Sequence, residues 1–182
     1  MEPYQPAAGQ LVVDDPAAVP GTGAAVKILT AAELAAHRDR LAAEGRALVF
    51  TNGCFDLLHV GHVRYLQAAR ALGDALAVGL NGDESVRALK GPGRPLNPAD
   101  DRAEVLAALA CVDFVTIFPE PRATTLLALV RPQVYVKGGD YTLDTLDAEE
   151  RAVLQEAGAR IEFVPTVAGR STTNLVRRMQ GT

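Results

Sequence analysis

Two of the chain's three histidines, His59 and His62, stand three residues apart in the segment TNGCFDLLHVGH at 51–62. Directly ahead of that segment lies the apolar run 47–50. Behind it Val60, Val63, Tyr65, Leu66, Ala69 and Leu72 recur at helical spacing, so the region reads as strand, loop, helix. Both imidazoles then fall in the helix's opening turn, on one face. The first helical N–H groups lack partners and carry the positive end of the dipole, which attracts phosphate. Gly61 would be a poor choice in an ordinary helix, but it lets a bulky ligand approach the backbone. Asn52-Gly53 reads as a turn ending the strand. Metal ligation by the histidine pair is disfavoured: no third ligand cluster accompanies it, and Cys54 and Cys111 form no C-x-x-C element.

Three further clusters could serve the same chemistry, and each has a plain alternative. Lys90-Gly91-Pro92-Gly93-Arg94-Pro95 is a glycine-bearing loop with two cations, followed by Asn97-Pro98 as N-cap and first helical residue. A charged loop is commonly just solvated, and the absence of a G-K-[ST] ending leaves a kinase reading without its phosphate loop. In Lys137-Gly138-Gly139-Asp140-Tyr141 the glycines can expose backbone N–H groups and Asp140 can accept from hydroxyl or amino groups, or the segment is a tight turn. Gly169-Arg170-Ser171-Thr172-Thr173-Asn174 opens the last helix, where the hydroxyls of Ser171, Thr172 and Thr173 either cap it or hold phosphate.

The elements that must position these groups alternate regularly. Strand-like runs at 47–50, 75–80, 114–118, 134–137 and 161–164 are interleaved with helical stretches at 84–89, 97–110, 124–130 and 147–157. Such alternation predicts an α/β fold, a single domain with a five-stranded parallel sheet and helices on both faces, whose ligands bind beyond the carboxyl ends of the strands. Every suspicious cluster falls just after a predicted strand or at a helix start. Thr30-Ala31-Ala32-Glu33 has capping-box spacing and opens a helix ending at Gly45, with His37 on its solvent side. Residues 1–27, punctuated by proline and glycine without periodicity, read as a flexible N-terminal extension to a domain at 28–182.

With 182 residues, 48% of them hydrophobic, the chain can bury a proper core. No run approaches the roughly 20 apolar residues of a membrane span. Two distant cysteines and no apolar leader point to a reduced, cytoplasmic setting. A net charge of -4 is the wrong sign for a dedicated nucleic-acid binder.

The segment at 51–62 resembles the HxGH signature of the nucleotidyltransferase superfamily, whose members join a nucleoside triphosphate to a phosphorylated small molecule and release pyrophosphate. Class I aminoacyl-tRNA synthetases share a related motif, but this chain is too short for one and shows no KMSKS-like loop. TNGCFDLLHVGH, LKGPGRPLNPADDRAEVLAAL, VKGGDY and STTN occur in that order, over about 30–179, and are most similar to the D-glycero-β-D-manno-heptose 1-phosphate adenylyltransferases.

The resemblance implies a Rossmann-like strand order 3-2-1-4-5 and formation of ADP-heptose from ATP and the sugar 1-phosphate, with Mg²⁺ on the triphosphate. It implies His59, His62 and Lys90 as catalytic groups. Thr51, Asn52, Gly53, Cys54, Phe55, Gly61, Gly138, Gly139, Asp140, Ser171, Thr172 and Thr173 would bind nucleotide, and Asp56, Arg94, Arg102, Lys137 and Tyr141 would contact substrate. A homodimer is expected. Glycerol-3-phosphate cytidylyltransferases and FAD synthetases share the phosphate machinery, and a nucleotide-sensing module without turnover would share the fold. Thr166 stands where the cytidylyltransferases place an arginine, and Pro121-Arg122-Ala123 replaces acidic residues common in the heptose family.

Overall fold

Five apolar runs form the strands β1 (Leu48–Gly53), β2 (Ala75–Asn81), β3 (Phe114–Phe118), β4 (Val134–Gly138) and β5 (Arg160–Val164). In the computed structural model, which describes residues 24–139 and 141–165, they pair in parallel in the order β3-β2-β1-β4-β5. The helices are α1 (Ala31–Ala43), α2 (Val60–Arg70), α3 (Asp83–Lys90), α4 (Ala99–Ala107), α5 (Thr124–Val130) and α6 (Ala148–Glu156). β2 is buried at every position, as a strand covered on both faces must be.

Side-chain alternation along β1 sorts the core into two layers. Val49 packs with Leu66, Leu76, Leu106 and Val136 beneath α2 and α4, while Leu48 and Phe50 pack with Leu34, Leu127, Tyr135 and Leu154 beneath α1, α5 and α6. Thr51 therefore faces α2 and Asn52 faces the α5/α6 layer, as their partners confirm: Thr51 Oγ1 lies 2.6 Å from Tyr65 Oη, and Tyr135 Oη donates to Asn52 Oδ1 at 2.8 Å.

From β1 the chain builds outward to β2 and β3, then crosses back to place β4 and β5 on β1's other side. The β1–β4 boundary is thus the point of reversal, where a crevice opens beyond the strand ends. Cα partners across it stop at Phe50↔Tyr135, whereas β1 stays paired to β2 through Gly53↔Leu80.

Several local expectations shift. Asn52-Gly53 continues β1 rather than turning, so the loop begins at Cys54. Pro98, not Asn97, is the N-cap of α4, because the Asn97 side chain donates instead to Asp56 O at 3.0 Å. The α1 capping box forms as expected, with Thr30 and Glu33 exchanging bonds. His37 is not simply solvated: its ring lies 4.7 Å from Phe114, and burial lowers its pKa.

A 3-10 turn at Ala25–Lys27 sends Lys27 Nζ to Val112 O at 2.8 Å, and Leu29 N–H pairs with Val115 O on the edge strand at 2.8 Å. Among the described residues, no helix is long and apolar enough to cross a membrane.

Candidate active site

The loop after β1 is held in an unusual shape. Phe55 adopts φ 42, a left-handed conformation that costs a non-glycine residue about 1–2 kcal/mol and persists only where surroundings enforce it. The enforcing contacts are local. Its ring meets His62 edge-on at 5.3 Å, and it lies so close to Gly53 that a Cβ there would come within 3.0 Å of Phe55 Cε2.

His59 is the N-cap of α2, one position earlier than the opening turn expected for it, and its Nδ1 accepts the Gly61 N–H at 3.1 Å. A nitrogen that accepts cannot carry the proton, so the neutral ring bears its hydrogen on Nε2. His62 stacks on it, with centroids 3.9 Å apart and planes 18° from parallel. Burial, reinforced by the neighbouring His59, pushes His62 down to about 4, so at neutral pH it is an uncharged imidazole. Its Nδ1 is buried without a hydrogen-bond partner, leaving stacking and ring packing to fix its orientation. Gly61 lies within this turn at the helix start.

Around the pair the sequence candidates divide into two groups. Lys90 ends α3, exposed, and its charge opposes the rise that burial imposes on the Cys54 thiol, which places it in electrostatic reach of the loop after β1. Asn52 and Lys137 meet across the crevice, Nζ to Oδ1, at 3.2 Å. Tyr141 is exposed beside them, its ring 5.4 Å from Lys137 Nζ.

The second group supports the site from behind. Thr51 is fully buried, and its partner Tyr65 Oη also donates to Val136 O at 3.0 Å. Gly138 admits the Tyr65 ring, since a Cβ there would fall 2.8 Å from Tyr65 Cε2. The N–H of Gly139, at φ 110, is spent on Val164 O at 3.2 Å, so this glycine joins β4 to β5 rather than offering its donor to a ligand.

Asp56 and Arg94, expected as substrate contacts, bind each other, and Asp56 also accepts the N–H groups of Leu96 at 2.7 Å and Asn97 at 3.2 Å. Asp56 therefore latches the loop after Lys90 onto the loop after β1. Arg102 is a clamp. Its side chain, 1% exposed, donates to the carbonyls of Cys54, Asn81 and Asn97 and to Asp83 Oδ1, tying four segments of the rim together. Asp140, Ser171, Thr172 and Thr173 lie outside the described residues, as does Thr166.

Sequence reasoning missed Glu150. This buried α6 carboxylate accepts the Ala123 N–H at 2.9 Å and stands 3.9 Å from Lys137 Nζ and 3.4 Å from Tyr135 Oη. It missed Asn81 as well, whose amide reaches Ser85 Oγ and the carbonyls of Glu120 and Pro121, pinning the loop before α5. Neither residue sits in a motif.

A parallel sheet with a paired-imidazole helix cap at its point of reversal, with one lysine at the C-terminus of α3 and another near the end of β4, defines a Rossmann-like nucleotidyltransferase. Residues 50–178 match the cytidylyltransferase-like family, and the chain belongs to it. It is 50% identical over 172 residues to the bifunctional protein HldE of Geotalea uraniireducens, covering 94% of this chain and 34% of that one. It is 54% identical over 137 residues to HldE of Geobacter sulfurreducens, covering 75% and 28%. The chain thus spans about a third or less of the length of these curated relatives. Among solved structures, the lipopolysaccharide core biosynthesis protein of Thermoplasma volcanium is similar, with TM-score 0.56 and 27% identity over 68% of this chain and 98% of that one. A pantoate-beta-alanine ligase from Francisella tularensis shares the fold alone, with TM-score 0.52 and 16% identity over 80% of this chain and 68% of that one.

Proposed function

We propose that the chain transfers AMP from ATP to D-glycero-β-D-manno-heptose 1-phosphate, forming ADP-heptose and pyrophosphate. The reading is carried by the stacked pair His59 and His62 at the N-terminus of α2, together with the similarity to HldE proteins over most of the chain. An oxygen of the sugar phosphate attacks the α-phosphorus of ATP in line, the bond to the bridging oxygen breaks, and pyrophosphate leaves with the electron pair. No protein nucleophile is required. The chain's task is to orient the reactants and to place donors where negative charge develops.

His59 donates from Nε2, fixed by its cap bond, and His62 flanks the same phosphate, while the exposed ammonium of Lys90 offsets charge on the departing pyrophosphate. Ser171, Thr172 and Thr173 are proposed to hold the outer phosphates, and Asp140 to contact the ribose or base. Mg²⁺ is the proposed cofactor. Such an ion dehydrates reluctantly and would be held mainly by triphosphate oxygens rather than by a protein cage. When bound, it neutralises phosphate charge.

Pyrophosphate release, measured with ATP and CTP across a panel of sugar and polyol phosphates, tests this reading. Turnover with ATP and heptose 1-phosphate is expected. Turnover only with another acceptor would reassign the substrate, and nucleotide binding without any turnover would make the chain a sensor.

A further inference from the structure

Lys137 sits on the opposite side of the sheet from the histidine pair. Alternation along β4 points Val136 toward the α2 layer and Tyr135 and Lys137 toward the α5/α6 layer, where Asn52 also faces. Phe55, which touches His62, belongs to the α2 layer. The crevice between β1 and β4 therefore carries imidazoles at one wall and an ammonium at the other.

The ammonium is built in. With its side chain only 16% exposed, Nζ donates to Asn52 Oδ1 at 3.2 Å and to Tyr135 Oη at 3.1 Å, while the Glu150 carboxylate stands 3.9 Å away. Among the described residues the titratable groups facing it are Glu150 from α6, Cys54 from the loop after β1, Tyr135 on β4 and Tyr141 beyond it. Burial lowers the lysine's pKa and Glu150 opposes that fall, as does Cys54 more weakly. The separation of 3.9 Å exceeds a hydrogen bond, so Glu150 sets an opposite charge beside the lysine without taking up one of its N–H groups.

In-line displacement fixes what this second wall is for. The attacking oxygen must enter opposite the bond to the leaving pyrophosphate, so a triphosphate lying on the α2 side is attacked from the α5/α6 side. We infer that Lys137 binds the phosphomonoester of the acceptor, positioned by Glu150, Asn52 and Tyr135 on the wall of the crevice facing the histidines. This rests on the nucleotidyl-transfer reading above and assigns its acceptor side.

The test uses the full chain, with whichever phosphorylated acceptor the wild type turns over. In Lys137→Met the acceptor KM is expected to rise about 10-fold or more, while the ATP KM and the calorimetric Kd for ATP stay within about twofold. Lys137→Gln is the second variant. Its amide can still donate to Asn52 Oδ1 and Tyr135 Oη, so it removes the charge while sparing the packing. The same split is expected there. Unchanged acceptor KM in a folded variant, or a loss shared by ATP, overturns the assignment. Should no acceptor be turned over, the functional reading fails first. The subsite is then judged with inorganic phosphate: protection of Lys137 from amine acylation, read by peptide mass, supports it, and no protection overturns it.

Discussion

The rings of His59 and His62 lie stacked at 3.9 Å; His59 Nδ1 takes the Gly61 N–H, while the buried Nδ1 of His62 has no hydrogen-bond partner among the described residues. His59 thus has two separable tasks, capping α2 and presenting Nε2–H. His59→Asn should keep the cap, since asparagine is a preferred N-cap, and lower kcat by ~10²-fold with little change in Tm. His59→Ala should lose both, with a further cost of about 1 kcal/mol in stability. Steady-state kinetics and thermal melts on the two variants check it. Equal kcat in wild type and His59→Asn would remove the imidazole from the chemistry.

The depressed pKa of His62 makes stability depend on pH in a stated direction. Folded, the ring resists a proton until about 4, whereas unfolded it takes one below about 6.5. Between those values the unfolded chain binds more protons, so this contribution falls as pH drops from about 6.5 toward 4. Urea titrations at pH 7 and pH 5 should show wild type losing more stability than His62→Gln. An equal loss in both would show that His62 titrates normally.

Much of the frame was legible because it is local. The strands at 114–118 and 134–138 are apolar runs bounded by turn residues, and α5 at 124–130 follows directly from its periodicity. The histidine pair stood out by residue type and spacing, whereas Lys90 heads a charged loop and was singled out only through the family resemblance. What sequence could not resolve were contacts made across the fold. Arg102 clamps segments 5 to 48 residues away, and an arginine beside a glycine-bearing loop reads equally well as a ligand contact. One signal was available: a cation so near the start of α4 opposes the helix dipole and needs a tertiary reason. Glu150 carried no such signal, because an acid in a helix's first turn is ordinary.

Asp56 is 8% exposed and satisfies two backbone N–H groups besides Arg94. Asp56→Ala strands those donors and the guanidinium, and should cost about 2–4 kcal/mol by chemical denaturation. Activity should fall with it, since the loop that follows Lys90 loses its latch. Wild-type stability in this variant would mean that the latch is not formed.

Gly138→Ala tests the packing behind the crevice. The added Cβ would meet a Tyr65 ring that cannot retreat, being tied to Thr51 Oγ1 and Val136 O, so a loss of about 1–3 kcal/mol is expected. Adding Tyr65→Leu should recover part of the clash, read as a non-additive double-mutant cycle.

On the proposed reading the chain makes a nucleotide-linked heptose rather than another activated phosphate. The decisive measurement is kcat/KM for four combinations, ATP or CTP with heptose 1-phosphate or glycerol 3-phosphate, with products identified by mass. A site built to pair particular amino and hydroxyl groups leaves buried polar groups unpaired with the wrong substrate, so discrimination should be large. ATP with heptose 1-phosphate is expected to be fastest. Faster formation of CDP-glycerol would contradict the proposed activity while leaving the family membership intact.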